Sequence, residues 1–78
     1  MKYFDKLKNE IRIGSLLRID CQTETYNGSY MFDDLKRARK LNNNDIVMCI
    51  GFITKPCWIV VLSKKGRGST PQGRCVLL

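Results

Sequence analysis

The sequence contains no histidine, the side chain that serves most often as a general base in enzymes. A nucleophilic pair of cysteine or serine with histidine therefore cannot form. Asp33 and Asp34 are adjacent carboxylates, but adjacent side chains diverge around a helix, and capping of a helix explains them without catalysis. We therefore expect that the chain is not an enzyme and needs no cofactor.

Closely spaced cysteine pairs are also missing. The four cysteines stand at positions 21, 49, 57 and 75, whereas structural zinc is usually held by pairs that one tight turn presents together. Cys49 and Cys57 lie in apolar, strand-like runs, where a free cysteine behaves as a small hydrophobic residue. The sequence favours core cysteines over a metal site or a disulfide, and we expect no bound metal.

Long apolar runs are absent, since none approaches the roughly 20 residues of a membrane-spanning helix. The first ten residues, MKYFDKLKNE, are charged throughout and lack the apolar centre of a secretory signal. We therefore expect an intracellular, cytoplasmic protein with no membrane partner. Short single-domain chains of this kind are common in viral and phage genomes, an origin that would place the protein in a host cell.

Acidic residues are scarce and unevenly placed. Seven Asp and Glu stand against 14 Lys and Arg, which gives a net charge of +7, and no acidic residue follows Asp45. Cations are concentrated in KRARK at 36–40 and in the segment after Ser63. Such a field attracts nucleic acid or acidic protein surfaces, and its simpler interpretation is a solvated face.

Alternating apolar residues are what the chain has in quantity. Positions 11–21 alternate with a period of two, which predicts a strand that Gly14 and Ser15 interrupt. DIVMCIGFIT at 45–54 and CWIVVLS at 57–63 predict an antiparallel hairpin, broken before the second run because proline cannot donate to a ladder. Trp58, in the second run, is expected in the core or at an interface.

The other segments are expected to complete a single domain over 1–78. Two aspartates followed by LKRARKL predict one short helix over 34–41. Residues 3–10 are expected to form a helical turn, 66–74 a loop and 75–78 a last strand. The glycine-rich segment is not a P-loop, because too little chain follows it for the helix that a P-loop requires. We find no internal repeat.

The order of these elements resembles that of small SH3-like barrels over roughly residues 11–78. The resemblance rests on DIV at 45–47 opening one strand, Trp58 in the next, and the glycine turn 66–68 before a closing strand. It implies a mainly β, antiparallel barrel whose wide first loop holds contact residues, here Tyr26, Tyr30 and Phe32. The short helix departs from that pattern, and an OB-like barrel with an inserted helix is the alternative.

Cations close to aromatic rings are typical of proteins that bind nucleic acid. No RNP, KH or zinc-finger pattern is present, so the sequence indicates a basic surface rather than a site that reads bases. We predict that nucleic acid or another polyanion contacts Lys36, Arg37, Arg39, Lys40, Lys64, Lys65, Arg67, Arg74, Tyr26 and Tyr30. Phe32 is assigned to the core instead.

Both faces of the hairpin over 45–63 are apolar, and strands of this kind are normally covered on both sides. The sequence pattern places Ile46 and Met48 on one face with Ile59 and Val61. If the helix and the termini leave part of this surface uncovered, the patch marks a partner or subunit interface. The alternative function is therefore a structural or interaction subunit, acting through protein–protein contacts or as a homo-oligomer.

Overall fold

A computed structural model describes residues 1–22 and 27–78, and within them the protein is mainly β, as predicted. The strands and the single 3₁₀ turn of this part of the chain are β1 (Tyr3–Phe4), β2 (Glu10–Ile11), β3 (Leu16–Ile19), β4 (Ser29–Phe32), β5 (Ala38–Leu41), β6 (Ile46–Ile53), β7 (Trp58–Ser63), β8 (Gly66–Pro71), the 3₁₀ turn (Gln72–Arg74) and β9 (Cys75–Leu77). No helix in these ranges is long and apolar enough to cross a bilayer.

Seven strands form one antiparallel sheet in the order β5-β4-β8-β7-β6-β3-β9, and β1 pairs with β2 in a separate small hairpin. One face of the large sheet supplies most of the core, to which the small hairpin adds Tyr3 and Ile11. The large sheet has its buried apolar side chains in a single core cluster. It does not close into a barrel, because the edge strands β5 and β9 each pair with one neighbour among the described residues.

The hairpin of β6 and β7 is confirmed, with its break at the turn that contains Pro56. The predicted faces, however, are wrong. Cys49 pairs with Val61, and an extra residue between Cys49 and Gly51 shifts the register beyond that point. The core face therefore combines Val47 and Cys49 with Ile59 and Val61, because a slip of one residue exchanges the two faces of a strand.

The predicted helix over 34–41 is wrong, because this segment forms a turn followed by strand β5. Of the apolar stripe that the helix would bury, Leu41 is buried, whereas Leu35 is 72% exposed. Leu, Lys, Arg and Ala are all good helix formers, but this propensity is weak compared with tertiary pairing. Pairing of β5 along the whole length of β4 supplies the competing interaction.

The predicted loop over 66–74 is also wrong in its first six residues, which form strand β8 between β7 and β4. The glycine in the middle of β8 allows this strand to pack closely against β4, and it does not serve to make the segment flexible. A Cβ at Gly68 would lie 3.0 Å from the Met31 side chain and from the Phe32 carbonyl oxygen, so a larger residue would push β4 away. The predicted last strand is confirmed as β9, which pairs with β3.

Residues 3–10 do not form the predicted helical turn but belong to the small hairpin, where Tyr3 pairs with Ile11. The sequence at this turn, FDKLK at 4–8, recurs as FDDLK at 32–36, where β4 turns into β5. The chain thus contains a short internal repeat, contrary to the expectation from the sequence.

Both copies of the repeated turn have the same hydrogen bonds. The aspartate N–H donates to the carbonyl four residues later, that of Asn9 at 2.9 Å and that of Arg37 at 3.1 Å. Oδ1 of each aspartate accepts the backbone N–H groups two and four residues later, at 2.7 to 2.9 Å. The lysine that closes the turn is left-handed in both copies, with φ of 69° at Lys8 and 59° at Lys36.

All four cysteines are free thiols. Cys49 and Cys75 are buried, as expected of core cysteines, but Cys57 is exposed because it lies in the turn before β7 rather than in the strand. Burial, with a contribution from the charge of Asp5 and from Cys49, raises the pKa of Cys75 to about 12. In the described part of the chain no three Cys, Asp or Glu side chains group together as metal ligands would.

Candidate polyanion-binding surface

The two basic segments of the sequence meet in the folded protein. Arg67 Nη2, on β8, lies 2.7 Å from Asp34 Oδ2 in the turn between β4 and β5. Lys65 Nζ, in the turn between β7 and β8, donates to the Lys40 carbonyl on β5. These two contacts bring together the set that we call the basic surface: Lys36, Arg37, Arg39, Lys40, Lys64, Lys65 and Arg67.

Carboxylates hold the arginines of the basic surface in place. Asp33 Oδ2 lies 3.0 Å from Arg37 Nε and 3.3 Å from Arg39 Nε. The pKa of Asp33 is below its ordinary value of 3.8, chiefly because it accepts the backbone N–H of Arg37, with further help from both guanidinium groups and the Leu35 N–H. Asp33 is therefore charged at neutral pH and orients both arginines.

The lysines of the basic surface are placed differently. Lys36, Lys64 and Lys65 are exposed, and no carboxylate in the described residues lies within 4.0 Å of their ammonium groups. Lys64 and Lys65 border a depression whose opposite wall includes Asn44 and Asp45. Lys36 and Lys64 are thus the cations best placed to meet a phosphate, since the ammonium group of Lys65 donates to the Lys40 carbonyl.

Arg74 does not join the basic surface. Arg74 ends the 3₁₀ turn, and its carbonyl accepts the N–H of Asp20 at 3.0 Å, next to the pairing of β3 with β9. No contact in the described residues links Arg74 to the other predicted cations. Tyr26 lies outside the described residues.

Two aromatic residues of β4 lie on the outward face of the sheet. Ser29 and Met31 point into the core, so the period of two places Tyr30 and Phe32 on the other side, where they are 36% and 39% exposed. The core assignment of Phe32 is therefore wrong, and the alternation in SYMF was the signal that could have shown it. Phe32 stacks on Trp58, with ring centroids 5.7 Å apart.

A depression on the outward face connects Phe32 to the basic surface. Phe32 and Lys36 both line it, and its floor includes Val60 and Ser69. Asp33 and Asp34 also line it, but both are engaged by arginines of the basic surface. The depression therefore has an aromatic side and a cationic side.

Another part of the outward face carries exposed apolar residues of the central hairpin and of β3. Leu16, Met48 and Leu62 form a row across three neighbouring strands. Leu16, Ile46 and Leu62 are 49%, 47% and 46% exposed. Among the described residues this row, with Ile46, is an uncovered apolar patch.

Comparison of the chain with protein-family models, with curated proteins and with solved structures finds no match.

Proposed function

We propose that this protein is a non-enzymatic module that binds nucleic acid, or another polyanion, through the basic surface. The observation that supports this most is the meeting of two basic segments far apart in the sequence, through Arg67 with Asp34 and Lys65 with Lys40. The cations of the basic surface outnumber the three carboxylates near them, Asp33, Asp34 and Asp45. A concentrated positive field of this kind attracts phosphates.

Protection of a sheet edge is a simpler explanation for part of the charge. β5 is an edge strand, and cations on an edge discourage pairing with another chain. This explains Arg39 and Lys40, but it does not explain Lys64 and Lys65, which lie in a turn between two inner strands. Binding accounts for both groups.

Phosphate contacts release condensed counterions, so the affinity of this surface should fall steeply as salt rises. Such contacts carry little sequence information, and we expect similar affinity for different sequences. Lys36 and Lys64 supply exposed ammonium charges, whereas the arginines present planar guanidinium donors beside Asp33 and Asp34.

We also propose that the sheet is an open member of the SH3-like class. In support, β3 pairs with both β6 and the closing strand β9, and β6, β7 and β8 form a meander. The β4–β5 hairpin occupies the place of the wide first loop. An OB-like barrel is less well supported, because the described residues contain no inserted helix.

A gel-shift titration at low and at physiological salt tests the proposal. We compare the wild type with K36E/K64E, and use K2E/K8E in the small hairpin as a control with the same change in net charge. We expect K36E/K64E to lose at least about tenfold in affinity, and the control to lose much less. Absence of any shift at low salt, or equal losses in both variants, would overturn the proposal.

The uncovered apolar patch favours a second function, that of an interaction subunit. Leu16, Ile46 and Leu62 are each about half exposed and adjoin on neighbouring strands, a feature that often marks an interface. Light scattering at high salt would then give a mass above the 9.0 kDa of one chain, and L62K would restore the monomer. A monomer at all concentrations would refute this function.

A further inference from the structure

We propose that the basic surface selects single-stranded over double-stranded nucleic acid, and that an unpaired base stacks on Phe32. This inference rests on the proposed function and adds a class of substrate to it. It starts from the position of Phe32 next to Lys36 and Arg67, on the same outward face of the sheet.

The cations proposed to bind phosphate lie about one or two nucleotide lengths from Phe32, the ring proposed to stack on a base. Phe32 pairs with Ser69, and Arg67 precedes Ser69 by two positions in β8, a distance of about 7 Å at the rise of a strand. Lys36 lines the same depression as Phe32. A strand whose phosphates lie on Lys36 and Arg67 would thus carry its bases towards the ring.

Phe32 is held in place and remains accessible. Its stacking on Trp58 fixes the ring, with an angle of 24° between the two planes, and 39% of the residue is exposed. Tyr30 lies two positions earlier on the same face of β4 and is 36% exposed. Two rings spaced along a strand form a platform on which successive bases can stack.

The aromatic side of the depression is what distinguishes the two forms of nucleic acid. Bases in a duplex are already stacked and paired, so Phe32 would add nothing to duplex binding, which depends on phosphate contacts alone. Unpaired bases gain a stacking partner, and removal of such a partner typically weakens binding by about tenfold. An acidic protein would use the cations but would not need an accessible flat ring.

Fluorescence anisotropy with a labelled mixed-sequence oligonucleotide, single-stranded and as its duplex, tests this inference. The variants are F32L and a matched control, F52L, because Phe52 is 37% exposed and also stacked, on Tyr3 at 4.5 Å, away from the basic surface. We expect F32L to lose about tenfold in single-strand affinity, with duplex affinity unchanged. F52L should bind both forms as the wild type does.

Trp58 gives a second measurement that does not depend on a variant. It is the single tryptophan of the chain and stacks on Phe32, so single strands should quench its fluorescence and duplex should not. Unchanged single-strand binding by F32L, or no quenching of the wild type, would overturn the stacking inference while the proposed function stands.

Two further results have different meanings. If neither form of nucleic acid binds at low salt, the proposed function itself fails. If polyglutamate binds as tightly as the single strand and F32L weakens that binding equally, the partner is an acidic protein and the inference is wrong.

Discussion

The turn at 5–9 and the turn at 33–37 have the same backbone and nearly the same sequence, yet their aspartates face different surroundings. Asp5 is 2% exposed, and its Oδ2 accepts the backbone N–H of Leu77 in β9 at 2.7 Å. Oδ2 of Asp33 instead faces Arg37 and Arg39 of the basic surface. Local sequence sets the turn, whereas tertiary packing decides whether its carboxylate stabilises the fold or orients cations.

The largest expected effect comes from removing the buried carboxylate. D5A should lower the free energy of unfolding by about 3 kcal/mol, because it leaves the partly buried Leu77 N–H and two turn N–H groups without an acceptor. D33A should have a smaller effect on stability, since its surroundings are open to water. Urea denaturation measures both, and equal losses would show that the two turns are equivalent.

The pH dependence of stability also distinguishes Asp5 from Asp33. Burial acts to raise the pKa of Asp5, but hydrogen bonds from Leu77, Asn9 and Leu7 outweigh burial and leave the pKa below its ordinary value of 3.8. A lowered pKa in the folded state adds stability above the unfolded value, and this is lost as the pH falls through the folded value.

Wild-type stability should therefore change little between about pH 7 and pH 5 from this group, and should fall below about pH 4. D5N should start lower at neutral pH and lose less on acidification. Urea midpoints measured across this pH range test the prediction. D33N is the control, because the pKa of Asp33 is also lowered. A D5N profile parallel to that of the wild type would contradict the role of Asp5.

Some of the fold could be predicted because its signals are local. Continuous apolar runs on either side of a proline mark the β6–β7 hairpin, and a short apolar run marks β9. β5 and β8 could not, since KRARK is rich in helix formers and GRGSTP in turn formers. Pairing with neighbouring strands makes them extended: β5 pairs with β4, and β8 pairs with β7 along its whole length and with β4 at one position.

The candidate site was predictable in its cations but not in its arrangement. Both basic segments are visible in the sequence, yet their meeting depends on contacts such as Arg67 with Asp34, which are 33 positions apart. Phe32 is the reverse case, because its position could be predicted from the sequence but was assigned wrongly. Its outward position follows from strand alternation, and it was missed because an apolar aromatic residue is more often core than surface.

The smallest expected effect tests whether the left-handed lysine has the same energetic cost in both turns. Lys8 and Lys36 are both left-handed, with φ of 69° and 59°, a conformation that costs a side chain with a Cβ roughly 1 kcal/mol. Glycine removes this cost but gains entropy in the unfolded chain. K8G and K36G should each stabilise the protein by about 0.5 kcal/mol, as measured by thermal or urea denaturation.

Glycine at the preceding leucines provides the control, because neither Leu7 nor Leu35 has a positive φ. L7G and L35G should therefore be destabilised or unchanged. K8G and K36G should differ in binding alone: K36G should weaken the affinity for nucleic acid, and K8G should leave it unchanged, since Lys36 belongs to the basic surface and Lys8 to the small hairpin. Unequal stability changes in the two glycine variants would mean that surroundings, rather than the shared sequence, set the backbone energy of the turn.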